Sequence, residues 1–302
     1  MMHLKLSILL VSYNNEKYIR EAIDSILMQQ LAVAYEIVVA DDCSTDNTRK
    51  IIEEYQLQND NIIVLNSSKN LGITKNYQRA FRACKGEYIA VLEGDDYWTS
   101  PFKLLKQMEF LDNHQECSFC YNRFIRRDQF TGRFSLSDDM SHKKEILVTA
   151  DLISHNFIGN FSTCMYRKKI IEQIPDSLFE MEVYDWMFNI VNSQYGLIGY
   201  LKEPMSIYRI HKDGVWSQKT QEKRNLDLLT IIPTYNKFLN YKFDNEFNTL
   251  KIHYSKTKSI SSIYNYLRIN GWNLCMPRLG WIIIDLMCPP IIYRLWYKYF
   301  RK

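Results

Sequence analysis

No glycine-rich loop with arginine or lysine follows the first apolar run of this chain. A nucleotidyltransferase needs such a loop to cradle phosphates, and Ser12-Tyr13-Asn14-Asn15 stands in its place. No second cysteine pair accompanies Cys117 and Cys120, so these read as core thiols rather than zinc ligands. Seven scattered cysteines, odd in number, fit reduced thiols and a cytosolic setting. Dense basic stripes are also missing: 38 Lys and Arg against 34 Asp and Glu leave a net charge of +4, which argues against a nucleic-acid partner. The N-terminus runs straight into an apolar segment without a signal-peptide pattern, and repeats and low-complexity tracts are lacking. No apolar stretch is long and clean enough for a spanning helix, since Asp285, Pro289, Pro290 and Arg294 interrupt the most apolar one.

What is present is an alternation of strands and helices. Leu6–Val11, Tyr35–Ala40, Asn61–Leu65 and Tyr88–Leu92 are short apolar runs with the look of strands buried on both faces. Between them, Ile19, Ala22, Ile23, Ile26 and Leu27 mark one helix face. A second helix starts near Asn47, capped by Thr45 or Asp46, and a third covers Thr74–Ala83. This order predicts an α/β fold with a mainly parallel central sheet flanked by helices. With 46% apolar residues in 302, the chain can hold one sizeable domain and an appendage.

The polar residues collect where the strands end, the place where such sheets bind ligands. Tyr88–Leu92 leads into Glu93-Gly94-Asp95-Asp96, three carboxylates within four residues. Their mutual repulsion calls for a cation or donor groups, and a hard divalent ion shared with substrate phosphates is a natural occupant. A capped polar turn is the other reading.

The ordered set of blocks resembles glycosyltransferase family 2 with the type A (GT-A) fold. It comprises Ser7–Asn14, Ala40–Asp46, Asn70-Leu71-Gly72, Gly86–Ile89, Glu93–Trp98, Asp185-Trp186 and Tyr208–His211, over roughly the first 215 residues. The resemblance implies an inverting, metal-dependent sugar transferase of bacterial polysaccharide or lipopolysaccharide synthesis. Its donor is a nucleoside-diphosphate sugar, here a UDP-sugar, and its acceptor a glycan or lipid-linked hydroxyl. It places Ser12, Tyr13, Asn14, Asp42, Glu93, Gly94 and Arg209 on the donor, with Tyr13 against the base and Asp42 accepting from the uracil imide. Asp41 orients the loop. Asp95 and His211 become ligands of Mg²⁺ or Mn²⁺, and Asp185 the general base. Each has a plainer alternative: turn aromatic, loop carboxylate, helix cap or structural histidine. Glu182 competes with Asp185 as the base. Glu93 departs from the usual Asp, which keeps a non-catalytic sugar-nucleotide-binding or scaffold protein in view. Cys43 stands where the family more often has Gly, a swap tolerated unless that backbone needs positive φ.

Tyr97 and Trp98 are either packing or substrate platform, and Asp96 either supports a ligand or caps a turn. Asn156–Ser162 is expected near the acceptor, and His211–Ser217 as a loop over bound donor. Tyr208–His211 follows a short strand after Pro204. A catalytic domain over residues 1–215 and a C-terminal helical region over 216–302 are expected. Within the latter, Leu226–Leu239 is helical, Asn240–Asn248 a polar connection, and Leu279–Lys302 a segment rich in Trp and Tyr. That last segment lies in a membrane interface, packs on the catalytic domain or joins a second subunit. A peripheral place on the inner face of the cell membrane would suit a lipid-linked acceptor.

Overall fold

The computed structural model describes residues 4–140 and 145–255. These fall into two compact units: residues up to Gln218 with Thr234–Phe247, and Lys219–Pro233 with the residues from Asn248 onward. The first unit begins with β1 (Leu6–Ser12), α1 (Ile19–Leu27), β2 (Tyr35–Asp41), α2 (Thr48–Gln56), β3 (Ile62–Val64), α3 (Ile73–Ala83) and β4 (Tyr88–Glu93). The strands β3-β2-β1-β4 pair in parallel. Leu6, Ile8, Leu9 and Leu10 of β1 and Tyr88 to Leu92 of β4 have no solvent exposure, because helices cover both faces. Burial of each such aliphatic side chain is worth about 1.5–3 kcal/mol. On α1, Ile19, Ala22, Ile23 and Ile26 are buried and Leu27 packs at the edge of the same core, so the helical period finds its sheet. Gly86 lets the chain enter β4 against β1: a Cβ there would sit 2.3 Å from the Ser7 nitrogen.

Beyond β4 the sheet becomes mixed. The next elements are β5 (Tyr97–Trp98), α4 (Lys103–Asn113), β6 (Cys117–Asp128), β7 (Phe134–Leu136), β8 (Ile146–Leu147) and α5 (Thr149–Ser154). Then come β9 (Cys164–Arg167), α6 (Lys168–Ile171), α7 (Asp185–Asn192) and β10 (Leu197–Ile210). β9 inserts antiparallel between β4 and β6, and β6 pairs in parallel with β10. Cys117 and Cys120 are buried free thiols on β6, as expected of core cysteines. The strand expected after Pro204 starts earlier, at Leu197. Pro204 falls within the register shift between Leu201 and Ser206, where a ladder N–H is not required.

α8 (Gln221–Phe238) contains Pro233. The expected polar connection over Asn240–Asn248 is shorter than read from composition, since residues 244–255 are helical. The segment Leu279–Lys302 lies outside the described residues. Among the described residues, no helix is long and apolar enough to cross a membrane.

Candidate active site

Parallel register sets the ends of β1, β2 and β4 in one row. Ser12 pairs with Asp41 and Val11 with Glu93. The Asp42 amide then donates to the Ser12 carbonyl at 2.9 Å, and the Gly94 amide to that of Val11 at 2.8 Å. A Cβ on Gly94 would lie 2.8 Å from both Ser12 Oγ and Asn15 Nδ2, so any side chain there would displace those two groups.

The loops after β1 and β2 are tied together by side chains. Asn14, at φ +53°, accepts the Thr45 N–H at 2.8 Å and donates its own N–H to Ser44 Oγ at 2.9 Å. Asp41 accepts from the Ser44 amide and hydroxyl, which fits the loop-orienting role. Asp46 takes the Thr48 N–H at 2.9 Å from just outside α2, whose N-cap residue is Asn47, with no side-chain capping bond of its own. Asp42 is buried and accepts the Leu71 and Gly72 N–H groups, both at 2.9 Å. A carboxylate has about four acceptor positions, so Asp42 retains capacity for one more donor. Tyr13, directly after β1, is 46% exposed. Cys43 adopts φ +62°, the condition under which glycine is the easier residue. Cys43→Gly is therefore expected to leave stability unchanged or raise it by up to about 1 kcal/mol, measured by chemical denaturation. A loss of that size would show that the thiol contributes packing beyond its backbone cost.

Next to this row lies an open cleft, walled among others by Tyr77, Glu93, Asp95, Phe161, Asp185 and Trp216. Glu93 receives the Tyr77 hydroxyl at 2.9 Å. Burial, then the charges of Asp96, Asp95 and Asp185, raise the Glu93 pKa well above the usual carboxylate range. Asp96 is buried beneath, accepting the Ser162 hydroxyl at 2.7 Å, the Arg209 N–H at 2.9 Å and the Asn160 amide. Its pKa is likewise raised, by burial first and Asp95 second. Asp96 thus supports the strand end from behind rather than capping a turn. Trp98 is packing: it is buried and donates its indole N–H to the Ser162 carbonyl at 2.8 Å.

Asp185 is the first residue of α7 and faces the cleft. One of its oxygens, Oδ2, is shut off from solvent and has no hydrogen-bond partner among the described residues. Burial raises its pKa from 3.8 to about 7, against the opposing pull of backbone N–H groups at the helix start. Phe188 and Val191 of the same helix are buried in the core, which holds the carboxylate at the helix mouth. Glu182 is exposed and accepts the hydroxyl of Tyr184, a cleft-wall residue, but does not itself line the cleft.

His211 Nε2 stands 3.0 Å from Asp95 Oδ2. That is a hydrogen-bond distance, so an ion held by both side chains would take the place of this contact. Among the described residues no group of three or more His, Cys, Asp or Glu side chains stands at ligand spacing. Substrate phosphates and water would have to complete the shell, the habit of Mg²⁺ in phosphate-handling enzymes. Arg209, expected on the donor phosphates, also borders the cleft, but its guanidinium donates to the Asp95 carbonyl and to Glu21. It lies between the rings of Tyr18 and Tyr97, at 5.0 and 4.5 Å. As placed, it braces Asp95 rather than opening toward a ligand.

The model of glycosyl transferase family 2 matches residues 7–175, more than half of the chain. The chain belongs to glycosyltransferase family 2. An uncharacterized protein of Mycobacterium tuberculosis is 35% identical over 223 residues, covering 72% of this chain and 62% of that one. The chain thus spans under two thirds of that relative's length. TuaG of Bacillus subtilis, named for teichuronic acid biosynthesis, is 27% identical over 214 residues, 70% of this chain and 82% of its own. The crystal structure of Staphylococcus aureus TarS 1-349 in complex with UDP-GlcNAc has the same fold. Its TM-score is 0.63 at 22% identity, over 91% of this chain and 77% of that one. The family 2 domain is therefore a GT-A-like α/β fold.

Several cleft residues carry no signal in the sequence. Tyr77 shares the buried face of α3 with Phe81, and its ring packs on Phe161 at 4.4 Å, so its spacing is that of a core residue. Tyr208 lines the cleft close enough to Asp96, Glu93, Asp95 and Asp185 that burial and their charges raise its pKa. Trp216 and Tyr184 approach at 5.6 Å on the cleft wall. Gly159, Asn160 and Phe161 bring the expected acceptor segment to the same wall, as do residues 214–217 of the expected donor loop.

Proposed function

We propose that this family 2 protein is an inverting, divalent-metal-dependent glycosyltransferase. It moves a sugar from a nucleoside-diphosphate donor, a UDP-sugar, to a hydroxyl of a glycan or lipid-linked acceptor in cell-surface polymer synthesis. The observation that carries this reading is Asp185: a carboxylate with an unpartnered buried oxygen, a pKa near 7, in the same cleft wall as Asp95. A general base works best with a pKa close to the operating pH. Asp185 takes the acceptor hydroxyl proton as that oxygen bonds to the anomeric carbon and the bond to the diphosphate oxygen breaks. With one base and direct displacement, the anomeric configuration inverts. A divalent ion held by Asp95 and His211 would supply positive charge against the diphosphate leaving group. Tyr13 stacks on the base, Asp42 accepts its imide N–H, and Ser12, Asn14 and Gly94 shape the floor between them. The names of TuaG and TarS support an acceptor in a wall polymer, and the UDP-GlcNAc bound to TarS supports a uridine donor.

Calorimetry with UDP and Mn²⁺ tests the donor half of this reading. Asp42→Asn should weaken binding by about 10- to 100-fold, the equivalent of 1.5–3 kcal/mol for a hydrogen bond to a charged acceptor. Asparagine keeps one acceptor for the loop N–H groups but sets a donor against the imide. Unchanged affinity would reduce Asp42 to its loop contacts.

A further inference from the structure

The β6–β7 hairpin has no part in the cleft, yet its surface is unusual. Residues 129–136 are exposed without a break. Three of them are large and apolar: Phe130 at 62%, Phe134 at 61% and Leu136 at 45% exposure. The same hairpin carries Arg123, Arg126, Arg127 and Arg133, with Asp128 as its one acid over residues 123–137. That acid is spent on the turn, where its Oδ1 accepts the Phe130 and Thr131 N–H groups at 2.8 and 3.1 Å. Cross-strand pairing of Ile125 with Leu136 and of Arg127 with Phe134 puts the apolar groups of β7 on one face, next to arginine. β7 pairs only with β6, so it is an edge that nothing covers among the described residues. Of the two acids that follow, Asp138 meets His155, and Asp139 meets Tyr200 and Arg123 of the hairpin itself, so the basic face rests on Arg126, Arg127 and Arg133.

The hairpin also has a fixed place relative to the site. The Gln129 N–H donates to the Ile210 carbonyl at 2.9 Å, and the Tyr18 hydroxyl to the Gln129 side chain at 2.9 Å. Tyr18 in turn packs on His211 at 4.8 Å. The tip therefore leaves the sheet beside the strand end that carries the proposed metal ligand.

We infer that this hairpin docks on an anionic lipid surface, Phe130 and Phe134 entering the interface and the arginines meeting the phosphates. Protruding aromatic rings among cations have the chemistry of interfacial anchoring, and a row of uncovered rings in water is otherwise a liability. Only the purpose of the contact, presenting a lipid-linked acceptor to the cleft, rests on the transferase reading.

The test is sedimentation of the full chain with phosphatidylcholine vesicles, with and without phosphatidylglycerol. Wild type should bind the anionic vesicles preferentially and release them as salt rises. Phe130→Ser with Phe134→Ser, and separately Arg127→Glu with Arg133→Glu, should each weaken binding by about tenfold or more at unchanged melting temperature. Vesicle binding that both pairs leave intact would overturn the assignment and move the contact to another part of the chain. So would absence of vesicle binding together with hairpin-dependent binding of soluble polyphosphate, which would mark an anionic polymer as the partner. Donor turnover in solution is read in the same samples. A chain that binds vesicles through the hairpin but consumes no nucleotide sugar supports this inference and removes the catalytic one.

Discussion

Asp185→Asn is expected to lower transfer by about 10²–10⁴-fold while donor affinity stays near wild type, since a positioned general base contributes a factor of this size. The amide preserves the shape of the first residue of α7 but cannot take a proton. In the wild type, kcat/KM should rise with pH through about 7, where Asp185 ionises. Stability should run the opposite way. The folded-state pKa is raised above the ordinary 3.8, so the stabilisation this group gives is fully present below about 4 and is lost as pH climbs through about 7. Asp185→Asn carries no charge to bury, and its melting temperature should exceed that of wild type at alkaline pH, the gap narrowing toward pH 4. A helix-capping residue would show neither the lost rate nor this pH-dependent gap. Near-normal transfer by Asp185→Asn combined with inactivity of Glu182→Gln would give the base role to Glu182.

Asp95→Asn is the second change with a large effect. Metal-stimulated transfer should fall by about 10²–10³-fold, the scale of losing one preorganised charge contact to the leaving group. Mn²⁺ should also cease to tighten UDP binding. The fold should persist, because the Asp95 contact to the Arg209 guanidinium is through its main-chain carbonyl, which the substitution leaves alone. Wild-type turnover by this variant at limiting metal would remove Asp95 from the metal site.

Much of the first half of the fold was legible because β1, β2 and β4 are buried on both faces, so their sequences are unbroken apolar runs. The polar residues that end them then mark the crevice without any knowledge of contacts. The second half offered less. β9 is four residues long, lies antiparallel in the middle of the sheet and includes a buried arginine. Arg167 is tolerated there because the carbonyls of Cys117, Leu111 and His114 accept its N–H groups at 2.8, 2.6 and 3.1 Å, a compensation that no local pattern reveals. Pro204 misled in the other direction, since a proline usually ends a strand and here sits at a shift in the ladder. At the site, the resemblance picked out Asp185, but its burial and unpartnered oxygen depend on packing from distant segments. The turn of Arg209 toward Glu21 also needed coordinates, because the two are joined only by the tertiary fold.

The most direct test of the account is consumption of a panel of nucleotide sugars by the purified chain with a hydroxyl acceptor, in Mn²⁺ and in chelator. The account predicts release of UDP from a UDP-sugar that stops in chelator, returns with Mn²⁺, and yields a product of inverted anomeric configuration. A retained configuration, or turnover indifferent to chelator, would contradict it.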